Sequence, residues 1–368
     1  MPTPGRVILV AGQGGAGTSS LARSTVDAIR AEVGDVVAVD ASGTVEADTD
    51  PSVVAWLAGT LGRVWLEAGA DPVLPETWCA LPDAGLVGAW HRITQARQTA
   101  AVVVVDAGSL VRVRDLCALP GALARLLDAA MTPRMAMWRS ASGAGGLFES
   151  LSDVRAEVVT WLGVLQHADT SVRLVGRPDP AAVDDLLRSS ALLSMLGVAV
   201  DGIVVNRVPG RDRKDARARA LRSGVLAAIA ALEEGSDGVR VWRSKESDEG
   251  RPQVRPAPKG TTAVTLLSGT AVPATRSRTM TLSSDDDGYL LDVPMRRPAR
   301  QLARVGVQGD CLVVSFDGVH AWHEIPSLLH RCAPVGAVRT STGITIRWSP
   351  DADVWPRVPA DAPDTEEG

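Results

Sequence analysis

The stretch Val7–Ala22, VILVAGQGGAGTSSLA, carries the decisive reading. An apolar run, Val7 to Val10, leads into a turn with glycine at 12, 14, 15 and 17, and Thr18, Ser19 and Ser20 open a small-residue helix start. Strand, glycine-rich turn and helix in this order outline a nucleotide-binding loop. Glycine lets several backbone N–H groups point into one concavity, and the dipole of the following helix favours an anion there. The same residues satisfy GxGxxG, Gly12 to Gly17, and Asp40 closes the next strand at about the distance where a dinucleotide fold carries its ribose carboxylate. A bare strand-to-helix turn with nothing bound is a third reading, and spacing alone leaves all three open.

Working outward, further apolar runs recur with helical segments between them: DVVAVDAS, AAVVVVDAG, SVRLVG and VDGIVVNRV. Near-continuous apolar strands of this kind belong to a parallel sheet covered on both faces. A long helical region, roughly 111–168, is broken by SASGAGG at Ser140 to Gly146. GVRVWRS gives one more short strand, and residues 247–275 have the proline, glycine and charge content of a linker. From about residue 276 the pattern turns to alternating apolar and polar residues, with turns at Asp317-Gly318 and Thr342-Gly343. The expected fold is α/β: a mostly parallel, doubly wound sheet with helices on both faces over 1–246, plus a small all-β sandwich over 276–349. An acidic, disordered tail is expected over 350–368.

Composition narrows the function. The 368 residues are 45% hydrophobic and carry a formal charge of −5, which argues against general nucleic-acid binding. No run of about 18 apolar residues occurs and no cleavable signal opens the chain, so a cytoplasmic protein without an integral membrane segment is expected. Cys79, Cys117, Cys311 and Cys332 are dispersed, which indicates neither a disulfide framework nor a cysteine metal site. His320 and His323, three apart on a strand, point to opposite faces and do not suggest a metal site. The basic run Arg211 to Arg222 reads as a solvated helix face.

GQGGAGTSS is similar to GKGGxGKTT, the deviant phosphate-binding loop of the arsenite-pump and tail-anchored-protein-targeting ATPases. The resemblance extends well beyond the loop. DAGSLVRVRDLCALPGAL resembles that family's second switch, VAVDASGTVEA stands where the family carries DPAHSL, and residues 170–208 resemble the segment ending in its Asn-Arg adenine-contact motif. GYLLDVPM, LARVGVQGDCLVVSFDG, EIPSLLHRC and TGITIRW resemble the α-crystallin-like module of small heat-shock type found in one branch of the family.

What the resemblance implies is specific. Gly12, Gly14, Gly15 and Gly17 keep the phosphate cradle, with Gln13, Thr18, Ser19 and Ser20 in the loop, and Ser19 stands at the Mg-ligating hydroxyl. Asp106 holds the Walker B-like position, Asp40 the water-orienting one, and Asn206 and Arg207 the adenine side. Both loop lysines are replaced, by Gln13 and Thr18. Lysine occurs only at 214, 245 and 259, and a bias toward arginine would have put arginine in the loop. Since phosphoryl transfer relies on cations that neutralise developing charge, their loss should nearly abolish turnover. The switch glycine and proline are matched by Val111 and Ser109. The expected protein is therefore a pseudo-ATPase that takes ATP or ADP with Mg, acting as a scaffold or chaperone-like binder. Dimerisation is implied too, as a homodimer or with an intact paralogue. Met131, Met135, Met137 and Trp138 lie where the targeting ATPases build a groove for a hydrophobic protein client, although a buried helix explains them as well. The rival functions are a slow active ATPase, with Arg23 a conceivable substitute cation, and a dinucleotide-binding enzyme.

Overall fold

The computed structural model describes residues 5–32, 34–43, 84–131, 145–208, 216–245, 253–254, 280–286, 288–296, 303–340 and 342–351. The chain divides into two units, the first within Met1–Ser277 and the second within Arg278–Met295 and Leu302–Gly368.

In the first unit the chain runs β1 (Arg6–Gly12), α1 (Thr18–Glu32), β2 (Val36–Asp40), α2 (Ala84–Thr99), β3 (Val102–Ser109), α3 (Leu110–Ala130) and α4 (Gly145–Gln166). It continues through β4 (Thr170–Gly176), α5 (Pro180–Met195), β5 (Ala199–Val208), α6 (Ala216–Gly235), β6 (Val241–Lys245) and β7 (Gln253–Val254). The sheet order is β2-β3-β1-β4-β5-β6-β7. The first six strands are parallel, and β7, from within the expected linker, adds antiparallel to β6.

Strand periodicity divides the core. Ile8 and Val10 of β1, with Val102 and Val104 of β3, pack under Leu21, Ala22, Val26 and Ile29 of α1. Val7, Leu9, Val103 and Val105 face the other way, against α2 to α6 through residues such as Trp90, Leu116, Trp161, Leu186 and Ile229. A strand covered on both sides has no polar face, which is why VVVV at 102–105 shows no alternation. The expected doubly wound α/β sheet is what forms. The helical region expected over 111–168 forms two helices, α3 and α4; residues 140–144 of the expected glycine break between them lie outside the described residues, and Gly145 and Gly146 open α4.

A buried ion pair sits inside this core. The Arg173 guanidinium grips Asp201 in a forked contact, Nη2–Oδ2 2.9 Å and Nε–Oδ1 3.2 Å, with both side chains fully buried. Ser171 Oγ donates to the same carboxylate, and Trp242 lies flat under the guanidinium, 5.3 Å from it. The register between β4 and β5 shifts here, pairing Val172 with Val200 and Arg173 with Gly202, so Asp201 is the extra residue. Gly202 must lack a side chain, since a Cβ there would lie 2.6 Å from the Trp242 ring.

The second unit holds two antiparallel sheets, β10-β11-β12 and β13-β14-β9-β8. Their strands are β8 (Thr281–Asp285), β9 (Gly288–Pro294), β10 (Arg304–Gln308), β11 (Cys311–Phe316), β12 (Val319–Glu324), β13 (Cys332–Arg339) and β14 (Gly343–Pro350). Leu291, Val293, Leu312, Val314, Phe316, Ile344, Ile346 and Trp348 are buried. Asp317 and Gly318, both at positive φ, make the expected two-residue hairpin between β11 and β12. Thr342-Gly343 differs: Gly343 already belongs to β14, opposite Pro294, where a Cβ would strike the Val293 carbonyl. Glycine is needed there for close approach to β9 rather than for the bend. β8, TLSSD, is exposed throughout and held by pairing to β9, so no hydrophobic alternation announces it.

Candidate functional site

The glycine loop connects β1 to α1 at the carboxyl end of the sheet. β1 lies between β3 and β4, and the chain leaves it to either side, so the loop sits where strand order switches, the usual ligand crevice of open α/β sheets. Gly15 and Gly17 have φ of 72° and 86°, conformations that cost an L side chain about 1–2 kcal/mol. The loop closes on itself through Ala16 N–H to Gln13 O at 3.0 Å and is tied to β4 through Gln13 N–H to Val175 O at 3.1 Å. Gly17 O receives Leu21 N–H, starting the helix. Among the described residues, no backbone carbonyl accepts from the amides of Gly14, Gly15, Gly17, Thr18, Ser19 or Ser20. A Cβ on Gly14 or Gly15 would meet nothing within 4 Å, so the space over the turn is open.

Asn206 locks this cradle. Its Nδ2 donates to Ala16 O at 2.8 Å and its Oδ1 accepts from Arg207 N–H at 2.9 Å, and the side chain is buried. A Cβ on Gly17 would come within 2.7 Å of that Nδ2. Asn206, expected on the adenine side, thus braces the glycine turn through Ala16, and Arg207 beside it is exposed with φ 58° near the end of β5.

Neither replacement for the loop lysines offers charge. Gln13 Nε2 donates to Asp185 of α5 at 2.9 Å. Thr18 is buried, its Oγ1 turned toward Gly12, where a Cβ would lie 2.5 Å from it. Ser19 is exposed and Ser20 half-buried at the first turn of α1. Arg23, one turn on, is exposed and lines the gap on the β2 side of α1 with exposed Asp40 and half-buried Asp106.

Asp40, the last residue of β2, is opposite Asp106 of β3. The Asp40 carboxylate accepts from Ser42 N–H at 2.8 Å and Ser42 Oγ at 2.6 Å, and Asp106 accepts from Gly108 N–H at 3.0 Å. Arg92 Nη2 donates to Asp40 O and Arg112 Nε to Ala41 O, both at 2.9 Å. The loops after β2 and β3 touch so closely that a Cβ on Gly108 would lie 2.9 Å from Ser42. Ser109 caps α3 by accepting from Arg112 N–H, and Val111 is 56% exposed. In the dinucleotide order β2 lies next to β1. Here β3 intervenes, so Asp106 is on the strand beside the loop and Asp40 one strand further out.

Asp185, Arg92 and Arg112 were not among the residues expected in the site; Asp185 meets Gln13 across 172 residues, and nothing in AAVDDLL signals it. Met131 ends α3, whereas Met135, Met137 and Trp138 lie outside the described residues. No described helix is long and apolar enough to cross a membrane.

Among known proteins no family model matches the chain. It is similar to SCO2128, an uncharacterized protein of Streptomyces coelicolor, with 27% identity over 307 residues, covering 78% of this chain and 76% of the relative. It is also similar to Protein Rv2184c of Mycobacterium tuberculosis, 23% identical over 426 aligned positions, covering 96% of this chain and 98% of the relative. The likeness to both runs across most of each chain, and neither printed name states an activity.

Proposed function

We propose that this protein is a nucleotide-binding pseudo-ATPase of the arsenite-pump and targeting-ATPase kind, working as a dimeric scaffold or chaperone-like binding protein in the cytoplasm. One observation carries the reading: a glycine cradle with six undonated amides whose two cation positions are filled by Gln13, engaged with Asp185, and Thr18, turned onto Gly12. Amides without a backbone acceptor, clustered at a helix start, suit a phosphate group. Ser19, exposed beside them, and Asp106 on the adjoining strand are the groups that would hold a nucleotide-bound Mg ion, whose chemistry is charge neutralisation on the phosphates. A cation supplied to the transferring phosphate is worth about 10³ to 10⁵ in rate. Binding with negligible hydrolysis follows from a cradle that keeps its amides and lacks both lysines.

The position of Asp40 weakens the dinucleotide reading, since it is separated from β1 by β3 and its carboxylate is engaged by Ser42. Titration calorimetry with Mg-ATP, Mg-ADP and NADH tests the proposal. Micromolar adenine-nucleotide binding, no turnover above that of a Gly17→Arg control with a filled cradle, and no NADH binding are expected. Absence of ATP and ADP binding, or hydrolysis well above the control, refutes it.

A further inference from the structure

β2 is an edge strand, hydrogen-bonded on one side only, to β3. A loop leaving such a strand has few backbone partners and is by default among the least protected parts of a fold. The loop after β2 is held instead. Ala41 is buried and donates its N–H to Asp106 O at 2.8 Å. The Asp40 carbonyl accepts from Arg92 Nη2 of α2, and the next carbonyl, that of Ala41, accepts from Arg112 Nε of α3, both at 2.9 Å. Two half-buried cations from two different helices thus grip consecutive carbonyls.

The turn is built onto one of these cations. Gly43, at φ 78°, passes so close to Arg112 that a Cβ would lie 3.3 Å from its Cζ. Ser42 closes back on Asp40 Oδ1 through both its N–H and its Oγ, and Gly108 of the loop after β3 packs against Ser42. A hydrogen bond from a charged donor is worth a factor of about ten or more in equilibrium. Both arginine bonds end on neutral main-chain carbonyls, so they need no ligand to complete them.

On the nucleotide reading of the cradle, the loops after β2 and β3 are the ones able to report what it holds, because a terminal phosphate orders such loops by supplying contacts they otherwise lack. Here those contacts come from within the chain. We infer that Arg92 and Arg112 latch the loop after β2 in one position whether or not the cradle is occupied, so that the protein holds a nucleotide without signalling its presence through this loop. The silence toward nucleotide rests on the proposed function; the latch rests on the contacts alone.

Amide order parameters of Ser42 and Gly43, from nitrogen relaxation of the full chain, test it. In the wild-type protein both should stand near the rigid-backbone value of about 0.85 without nucleotide and keep it with saturating Mg-ADP or Mg-ATP. Arg92→Gln combined with Arg112→Gln should lower both toward about 0.6 while Ile8 and Leu9 of β1 keep theirs, and each single variant should lower them part of the way. Unchanged order parameters in the double variant overturn the inference. So do low wild-type values that rise when nucleotide is added, and these decide the matter even where a variant does not fold. A loop that nucleotide orders sinks this inference and leaves the proposed function standing. Absence of ATP and ADP binding by calorimetry sinks the proposed function, and the nucleotide-free order parameters of wild type and variants still decide the latch.

Discussion

Gly17 and Asn206 lie 189 positions apart in sequence and press on each other at the cradle, so substituting both gives a quantitative test of how the loop is held. Gly17→Ala places a side chain at φ 86°, costing about 1–2 kcal/mol. It also sets a methyl 2.7 Å from Asn206 Nδ2, which must move and give up its 2.8 Å bond to Ala16 O, for about 1 kcal/mol more. The single change should therefore cost about 2–3 kcal/mol. Asn206→Ala removes the same bond and leaves a buried carbonyl unpaired, for about 1–3 kcal/mol. In the double variant the methyl has nothing to displace, so the combined cost should fall short of the sum by about 1 kcal/mol, the bond counted twice. Urea unfolding followed by tryptophan fluorescence measures the four members of the cycle. If Gly17→Ala costs the same with and without Asn206, the two residues are not coupled and the account of the cradle is wrong.

Three further outcomes are expected. Asp201→Ala removes the carboxylate that grips the buried Arg173 guanidinium and should cost about 3–5 kcal/mol, whereas Asp201→Ala combined with Arg173→Met should cost less than the single change; equal or larger loss in the double variant would show that the charge is not what matters. Burial lowers the pKa of His323 from its ordinary value, and its Nε2 has no partner among the described residues. The unfolded chain therefore takes up this proton first as pH falls below about 6.5, so the contribution of His323 is intact above that pH and stability drops on acidification through it. His323→Phe should flatten that part of a melting-temperature profile between pH 8 and pH 5, and an unchanged slope would remove His323 as its source. Burial also pushes the Cys117 thiol up to about 12, so iodoacetamide at pH 8 should spare Cys117 in the folded protein and modify it in urea; mass mapping of native adducts on Cys117 would contradict its placement between α3 and the sheet.

Much of this architecture was written in local pattern. Six apolar runs gave the six parallel strands because strands buried on both faces need continuous apolar sequence, and glycines at 12, 14, 15 and 17 announced the turn that only positive φ permits. Local pattern could not separate Gly343 as a bend from Gly343 as a close approach, because the obstructing carbonyl belongs to Val293, 50 positions earlier. It also missed β8, whose five exposed residues are held by backbone pairing to β9 and by the Asp285–Arg347 ion pair rather than by a buried face.

The sequence by itself determined the class of the fold, the position of the cradle and the absence of lysine from it, since each is a property of residue type and near-neighbour spacing. Tertiary structure decided what surrounds the cradle. That Asn206 clasps Ala16 across 190 residues, that Gln13 turns to Asp185, that β3 separates Asp40 from β1, and that Arg23 shares a cavity with two carboxylates all depend on strand order and register. Those follow from which apolar faces bury together over the whole chain, a sum of long-range contacts that no short window of residues contains.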